Sequence, residues 1–491
     1  MSNILGKVLN YFLVPLYTAV LLPQEYGVIS ELYAYIAILQ ILYTFGIETA
    51  YFRFVSQNPN YSNTIISFIL VWNFVFSGAI IFSASSIINF LGYTDKENYV
   101  YLICGILIID SISMIPFAKL RLQHKALLFT VVKISQIALN VIFNLVLLYN
   151  NNCNENHCFS GLNAWLDSYN LDRVEYVLMA NLLSNAIIFP FLIKQLGRVR
   201  FSLSWNKLRV LLVYSFPLFF IGFVNTTNDM FSRITLRYLI PESLCNGMNT
   251  EAVVGIFVAC CKLSIFMMLG IQAFRYAAEP FYFANANNEN RSLIFSHVMY
   301  WFVVIGCFVL FSIGVNLDFL SYIFLRRAEY RSTVSIVPYL ALSYFLLGIY
   351  NNLSIWFKLD NKTYYGLLMG SIGMIINIFL NLILVPIIGY WGSVYAILTA
   401  NSIMVLLCYL FGQRHYPIQY HTWTCFTYIV STMSLIMITS NIKYNNTLQS
   451  TICNLGITLF FGVTLYYISK RVLLLCDSLV NKSSSISTKK I

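Results

Sequence analysis

The chain reads as an all-α polytopic membrane protein with about 14 transmembrane helices: two six-helix lobes related by a parallel repeat, plus two extra C-terminal helices. Composition, the spacing of its apolar runs and a recurring polar pattern predict this. Of 491 residues, 59% are hydrophobic and 10% are charged, against about 25% charged in soluble domains. The shortage of polar surface excludes a soluble fold of this length. The formal charge of +11 therefore points to no nucleic acid partner; it bears on topology instead.

Apolar runs of about 20 residues are long enough to cross the hydrocarbon core. In the first lobe they fall at 4–22, 28–52, 63–90, 99–118, 126–149 and 174–193. The first follows Lys7 but lacks a small-residue cleavage site, so it reads as a spanning helix and not a leader. In the second lobe the runs are 210–236, 252–275, 294–315, 334–356, 364–386 and 390–411, with 422–440 and 451–473 appended. The expected domains are residues 1–200, 201–413 and 414–480, then a disordered cytoplasmic tail at 481–491. With the N-terminus inside, the loops and termini carry 20 Lys and Arg on the inner side and 7 on the outer. That bias places both termini in the cytoplasm.

The repeat shows in polar residues, where chance matches are rarer than among leucines. At an offset of 237, Arg121 meets Lys358, Lys125 meets Lys362, and Asn140 and Asn144 meet Asn377 and Asn381. Ala180-Asn181 meets Ala400-Asn401, and Gly46-Ile47 meets Gly270-Ile271. Residues four apart share a helix face, so each asparagine pair forms one polar spot. Parallel repeats of this kind are a common transporter plan.

No phosphate-binding loop, zinc-protease motif, nucleophile elbow or dinucleotide fingerprint occurs, so no catalytic residue, metal site or cofactor is expected. The cysteines lie mostly in apolar runs as small core residues; Cys153 and Cys158, in a polar loop, are candidates for a disulfide. What remains is a set of charges in membrane segments, which usually face a bundle interior or a water-filled cavity. Asp110 and Lys262 sit near the middle of the fourth and eighth helices. Asp110 is the candidate for a coupling ion and Lys262 for an anionic group. Asn225, Asp229 and Arg233 follow Gly222 at helical spacing, a polar stripe suited to a cavity wall and to an Asp229–Arg233 pair. Glu48 and Arg53 close the second run at Gly46 to Phe54. Lys133 is expected to snorkel, Arg275 to pair with Glu279, and Arg326, Arg327 and Arg331 to form a solvated turn.

Several stretches together carry a resemblance: Pro15-Leu16-Tyr17, Leu22 to Gly27, Gly46 to Phe54 with Arg53, and Ala278-Glu279-Pro280-Phe281. Asn381-Leu382 with Pro386, Gly389 and Gly392 follows, then Tyr416-Pro417-Ile418. In their order the chain resembles the polysaccharide (O-antigen and exopolysaccharide) flippases of the multidrug/oligosaccharidyl-lipid/polysaccharide exporter superfamily. The resemblance implies two lobes around a central cavity lined by helices one, two, seven and eight. It implies ion-coupled alternating access that moves an O-antigen, capsule or exopolysaccharide repeat unit on a polyprenyl diphosphate from the inner to the outer leaflet of the bacterial cytoplasmic membrane. Arg53, Arg233 and Lys262 become candidates for the diphosphate, with Asn225, Asp229 and Glu48 on the glycan cavity. The implied partners are the polyprenyl-diphosphate-linked oligosaccharide, a coupling H+ or Na+, the lipid bilayer and polysaccharide-assembly proteins. The chain departs from the pattern in a very short segment before its first helix. Its repeat also replaces Glu48 by Gln272 and Arg53 by Ala277. Two other readings stay open: a cation-coupled multidrug exporter of the same superfamily, and a membrane polysaccharide polymerase or ligase.

Overall fold

A segment inside hydrocarbon must satisfy its own backbone groups, and a helix does this within one stretch of chain. The computed structural model describes residues 11, 13–150, 171–196, 200–245, 247–360, 362, 364–442 and 447–487, and among them it contains helices and no strands. Among the described residues, twelve helices are long and apolar enough to cross a membrane, or thirteen with one broken pair counted as a single span. The agreement with the apolar runs is close: Ala126–Asn150 stands where 126–149 is expected, and Thr422–Ser440 where 422–440 is expected. Of the first expected span, residues 11 and 13–22 are described, with α1 at Leu13–Val20. Cys153 and Cys158 lie outside the described residues.

The first compact unit holds residues 1–262, 325–332 and 370–396. After α1 come α2 (Pro23–Thr44) and α3 (Ile47–Gln57), which divide the second apolar run in two. The break lies at Phe45 and Gly46, with φ of 47° and 66°. Left-handed backbone is cheap for glycine and costly for other residues. A Cβ at Gly46 would also stand 3.0 Å from the Phe219 nitrogen and the Ser215 oxygen, so the kink tucks against a neighbouring helix. The unit continues with α4 (Tyr61–Phe82), α5 (Ala84–Phe90), α6 (Glu97–Leu122), α7 (Ala126–Asn150), α8 (Arg173–Leu196), α9 (Trp205–Leu239) and α10 (Thr250–Leu263). At one crossing, α2 and α10 meet backbone to backbone. A Cβ on Gly27 would lie 1.9 Å from the Glu251 carbonyl oxygen, and one on Gly255 2.0 Å from that of Pro23. Small residues at such contacts let helices pack where lipid gives no hydrophobic drive.

Beside this crossing, Arg237 is clasped between two acids. It donates to Glu31 Oε2 at 2.8 Å and stands 3.2 Å from Glu251 Oε1, with its guanidinium 4.0 Å from the centre of the Tyr93 ring. Glu31, 1% exposed, also accepts hydroxyls from Tyr35, Tyr93 and Tyr238 at 3.1, 2.7 and 3.1 Å. Burial, then the Glu31 charge, push the Tyr93 phenol far above its ordinary range, so it remains a donor. The arginine turn expected to be solvated is docked. Arg327 donates to the Ala19 and Val20 carbonyls at 3.1 and 3.2 Å, and the fully buried Tyr330 donates to that of Leu21 at 3.2 Å. These carbonyls at and just past the end of α1 lack helical donors, which is why cations and hydroxyls collect there.

The second compact unit holds residues 263–324, 333–369 and 397–491. Its elements are α11 (Ile265–Ala284), α12 (Arg291–Val315), α13 (Leu317–Phe324), α14 (Val337–Leu353) and α15 (Ile355–Leu359). In chain order α16 (Tyr364–Ile388), most of which belongs to the first unit, comes next, then α17 (Tyr390–His415), α18 (Thr422–Ser440) and α19 (Thr447–Ser487). A core of Tyr282, Phe295, Ile355 and Ile418 ties α11, α12, α15 and the segment after α17 together. The side chain of Asn316 donates to Thr458 at 3.0 Å and Tyr300 to the Ser469 carbonyl at 2.9 Å, fixing α19 along α12. Glu279, expected beside Arg275, instead accepts from Lys358 at 2.7 Å.

Candidate functional site

Within the first unit, α1, α2, α3 and α6 to α10 enclose a cavity of about 720 Å³. Four of the seven candidate residues line it: Glu48, Asp110, Arg233 and Lys262. Helix geometry accounts for part of this grouping. Tyr26, Ile29, Ser30 and Tyr33 recur at steps of three and four along α2, and all face the cavity. Val258 and Lys262, four apart, do the same on α10. The other three candidates stand outside this wall. Arg53 is exposed on α3, with its guanidinium 4.5 Å from the centre of the Tyr214 ring, and Asn225 and Asp229 are exposed on α9.

The cavity's charges fall into two groups. In the first, each base is held by an acid or through amides. Arg121, at the end of α6, bonds the Glu48 carboxylate directly, with Phe52 and Phe129 at 5.0 and 5.3 Å from its guanidinium. A longer chain starts at Lys133. Its Nζ donates to Gln136 Oε1 at 2.9 Å, Gln136 Nε2 to Asn185 Oδ1 at 2.6 Å, and Asn185 Nδ2 to Asp110 Oδ1 at 2.8 Å. Each amide presents its oxygen toward the cation and its nitrogen toward the anion, the orientation a charge at either end would select. Lys133 thus turns into the cavity, 5.1 Å from the Phe117 ring centre, where snorkelling was expected.

The second group is Arg233 and Lys262. Both line the cavity. Among the described residues neither has a carboxylate within 4.0 Å or a side-chain hydrogen bond; the ion pairs of this unit bind other bases. Two uncompensated cations in a partly enclosed space are costly unless an anion joins them. The remaining walls suit hydroxyl-rich matter. Tyr17, Tyr26 and Tyr33 contribute aromatic side chains, while Asn140 and Asn181 contribute amides, Asn181 donating to the Tyr33 hydroxyl at 3.1 Å.

Sequence reasoning missed Gln136, Asn181, Asn185 and the inward turn of Lys133. A signal existed for part of it: Lys133, Gln136, Asn140 and Asn144 form a polar stripe at steps of three and four on α7. That Asn185 and Asp110 complete the chain depends on helix packing and leaves no mark in the local sequence.

Residues 18–153 match the family described as "Polysaccharide biosynthesis protein". No curated protein sequence matches the chain. Among solved structures, a lipid II flippase MurJ in an inward closed conformation is similar at a TM-score of 0.70 and 13% identity, covering 98% of this chain and 98% of that one. An inward-facing multidrug resistance MATE family transporter of the MOP superfamily is similar at a TM-score of 0.65 and 14% identity, covering 83% and 94%. At this identity the likeness establishes the fold: a multi-pass, MurJ- and MATE-like helical membrane protein. With the family match, it bears out the resemblance to polysaccharide flippases read from the sequence.

Proposed function

We propose that this protein is a flippase for a lipid-diphosphate-linked oligosaccharide. The observation that carries the reading is the pair of uncompensated cations, Arg233 and Lys262, in the wall of a 720 Å³ cavity. A diphosphate supplies the missing anions as charge-assisted hydrogen-bond acceptors. The volume lies within the range of about 300–1,000 Å³ usual for small-molecule sites, which suits a headgroup of a few sugars and not a long polymer. The lipid tail need not enter. Carrying the polar head through a hydrated cavity avoids the prohibitive cost of dragging it bare through hydrocarbon.

In this reading the diphosphate binds Arg233 and Lys262, the sugars meet the tyrosines and amides, and Asp110 is the site of the coupling H+ or Na+. Arg53, Asn225 and Asp229 are weaker candidates because they stand outside the cavity wall. The substrate crosses from the inner to the outer leaflet of a bacterial cytoplasmic membrane, with both termini inside, as an O-antigen, capsule or exopolysaccharide unit. The multidrug exporter is the second reading, favoured by the MATE likeness and disfavoured by the two free bases, which would repel cationic drugs.

Complementation tests the two against each other. In a strain lacking its polysaccharide flippase, this gene restores surface glycan, and the Arg233→Ala/Lys262→Ala double variant, at equal membrane level, does not. Losing two charge-assisted contacts of about 1.5–3 kcal/mol each lowers flipping about 100-fold or more. Drug resistance without glycan export sinks the flippase reading.

A further inference from the structure

The charge inventory of the same cavity also bears on the glycan, an inference that rests on the diphosphate reading above. Among the described residues, the charged side chains lining the cavity are Glu48, Asp110, Arg121, Lys133, Arg233 and Lys262. With no coupling ion on Asp110, four bases against two acids leave a surplus of two positive charges. A sugar linked through a diphosphate to a lipid carries two negative charges, one on each phosphate. The two balance, and the surplus is localised. Arg121 is bonded to Glu48 and packed between aromatic rings, and Lys133 is tied through Gln136 and Asn185 to Asp110. The bases with no such tie are Arg233 and Lys262, which the diphosphate occupies.

We infer that the sugars next to the diphosphate are uncharged: neutral hexoses or N-acetylated hexosamines, and not uronic acids or other acidic sugars. A sugar carboxylate brought into this cavity must shed water and finds no free base among the described residues. It meets the carboxylates of Glu48 and Asp110, or breaks a bond that Arg121 or Lys133 already makes. An uncharged sugar pays none of this and finds donors and acceptors on Tyr33, Asn140 and Asn181. The acids on the wall thus act as specificity determinants.

Equilibrium binding to the full chain in lipid nanodiscs at low salt tests this with three probes: farnesyl diphosphate, the same lipid diphosphate bearing a glucose-containing disaccharide, and its glucuronate counterpart. The neutral probe is expected to bind at least about tenfold more tightly than the glucuronate probe, the scale of one unscreened charge contact about 10 Å away in a partly buried site. Glu48→Gln and Asp110→Asn, each removing one wall anion, are expected to narrow that gap; if either variant fails to fold, the wild-type ratio decides alone. Farnesyl diphosphate binding combined with equal or tighter binding of the glucuronate probe overturns this inference and leaves the flippase reading standing. Failure of farnesyl diphosphate and both glycan probes to bind overturns both.

Discussion

On α7, Asn144 Nδ2 donates to the backbone oxygen and Oδ1 of Asn140 at 2.8 and 2.7 Å. On α16, Asn381 makes the same two bonds to Asn377, both at 2.8 Å. The pairs are related by the internal repeat, and their local geometry is the same. Their surroundings are not. Asn144 is fully buried and accepts the Tyr17 hydroxyl at 2.9 Å, while Asn140 opens onto the cavity. Asn377 and Asn381 are both fully buried. Asn377 donates to the Asn228 oxygens at 2.9 Å, and Asn381 accepts from Ser393 at 2.7 Å and contacts Ser232 at 3.3 Å. One copy of the motif thus serves a cavity wall and the other serves helix packing. The repeat-related bases behave alike in this respect. Arg121 pairs with Glu48, and Lys358 pairs with Glu279, although Glu48 aligns with Gln272 and the second acid comes two turns later. Duplication preserved the need for a partner without preserving the partner's position.

Substitution series can break this comparison. Asn381→Ala has the largest expected effect, because it orphans groups on two other helices in a site closed to water. At about 0.6–1.7 kcal/mol per interhelical bond in a membrane protein, the loss is about 2–3 kcal/mol. Asn144→Ala removes one interhelical bond, to Tyr17, and should cost about 1 kcal/mol. Thermal unfolding in detergent gives the order; a larger shift for Asn144→Ala would show that the α7 pair carries the packing. Asn140→Ala should destabilise least of the three, by under about 1 kcal/mol, since cavity water can replace its bonds. It should instead weaken binding of the neutral glycan probe about threefold to tenfold, one neutral hydrogen bond being worth about 0.5–1.5 kcal/mol; unchanged binding would remove Asn140 from the glycan wall. The smallest effects belong to Glu48→Gln and Glu279→Gln, each within about 1 kcal/mol in stability, because both ion pairs are partly exposed. A cost well above that at Glu279 alone would separate the two repeats further.

Much of the fold was legible because hydrocarbon thickness sets a minimum length for an apolar run, and short polar loops mark the ends. The breaks were less legible. The run 252–275 reads as one helix, yet the chain breaks at Ser264 between α10 and α11. The turn carries no proline; Ser264 sits there and donates to the Val337 carbonyl at 3.2 Å, a partner 73 residues away. The site divided in the same way. Glu48, Asp110, Arg233 and Lys262 stood out as charges in apolar runs, because such residues are rarely tolerated without a task. Arg53 stood out for the same reason but lies at an exposed helix face. Lys133 was underestimated because distance from a helix end says nothing about which neighbour the side chain meets. Glu31 and Arg237, 206 positions apart, became a buried pair only through the close crossing of helices.

The sequence by itself determined the class of protein, the approximate helix ends and the inventory of charges, since these follow from composition and from periods along one segment. Tertiary structure decided which of those charges are cancelled. Hydrogen bonds need partners within about 3.5 Å, and Coulomb attraction weakens with distance. Whether Lys133 is satisfied and Lys262 is not therefore depends on which distant helices stand beside them, and packing alone sets that.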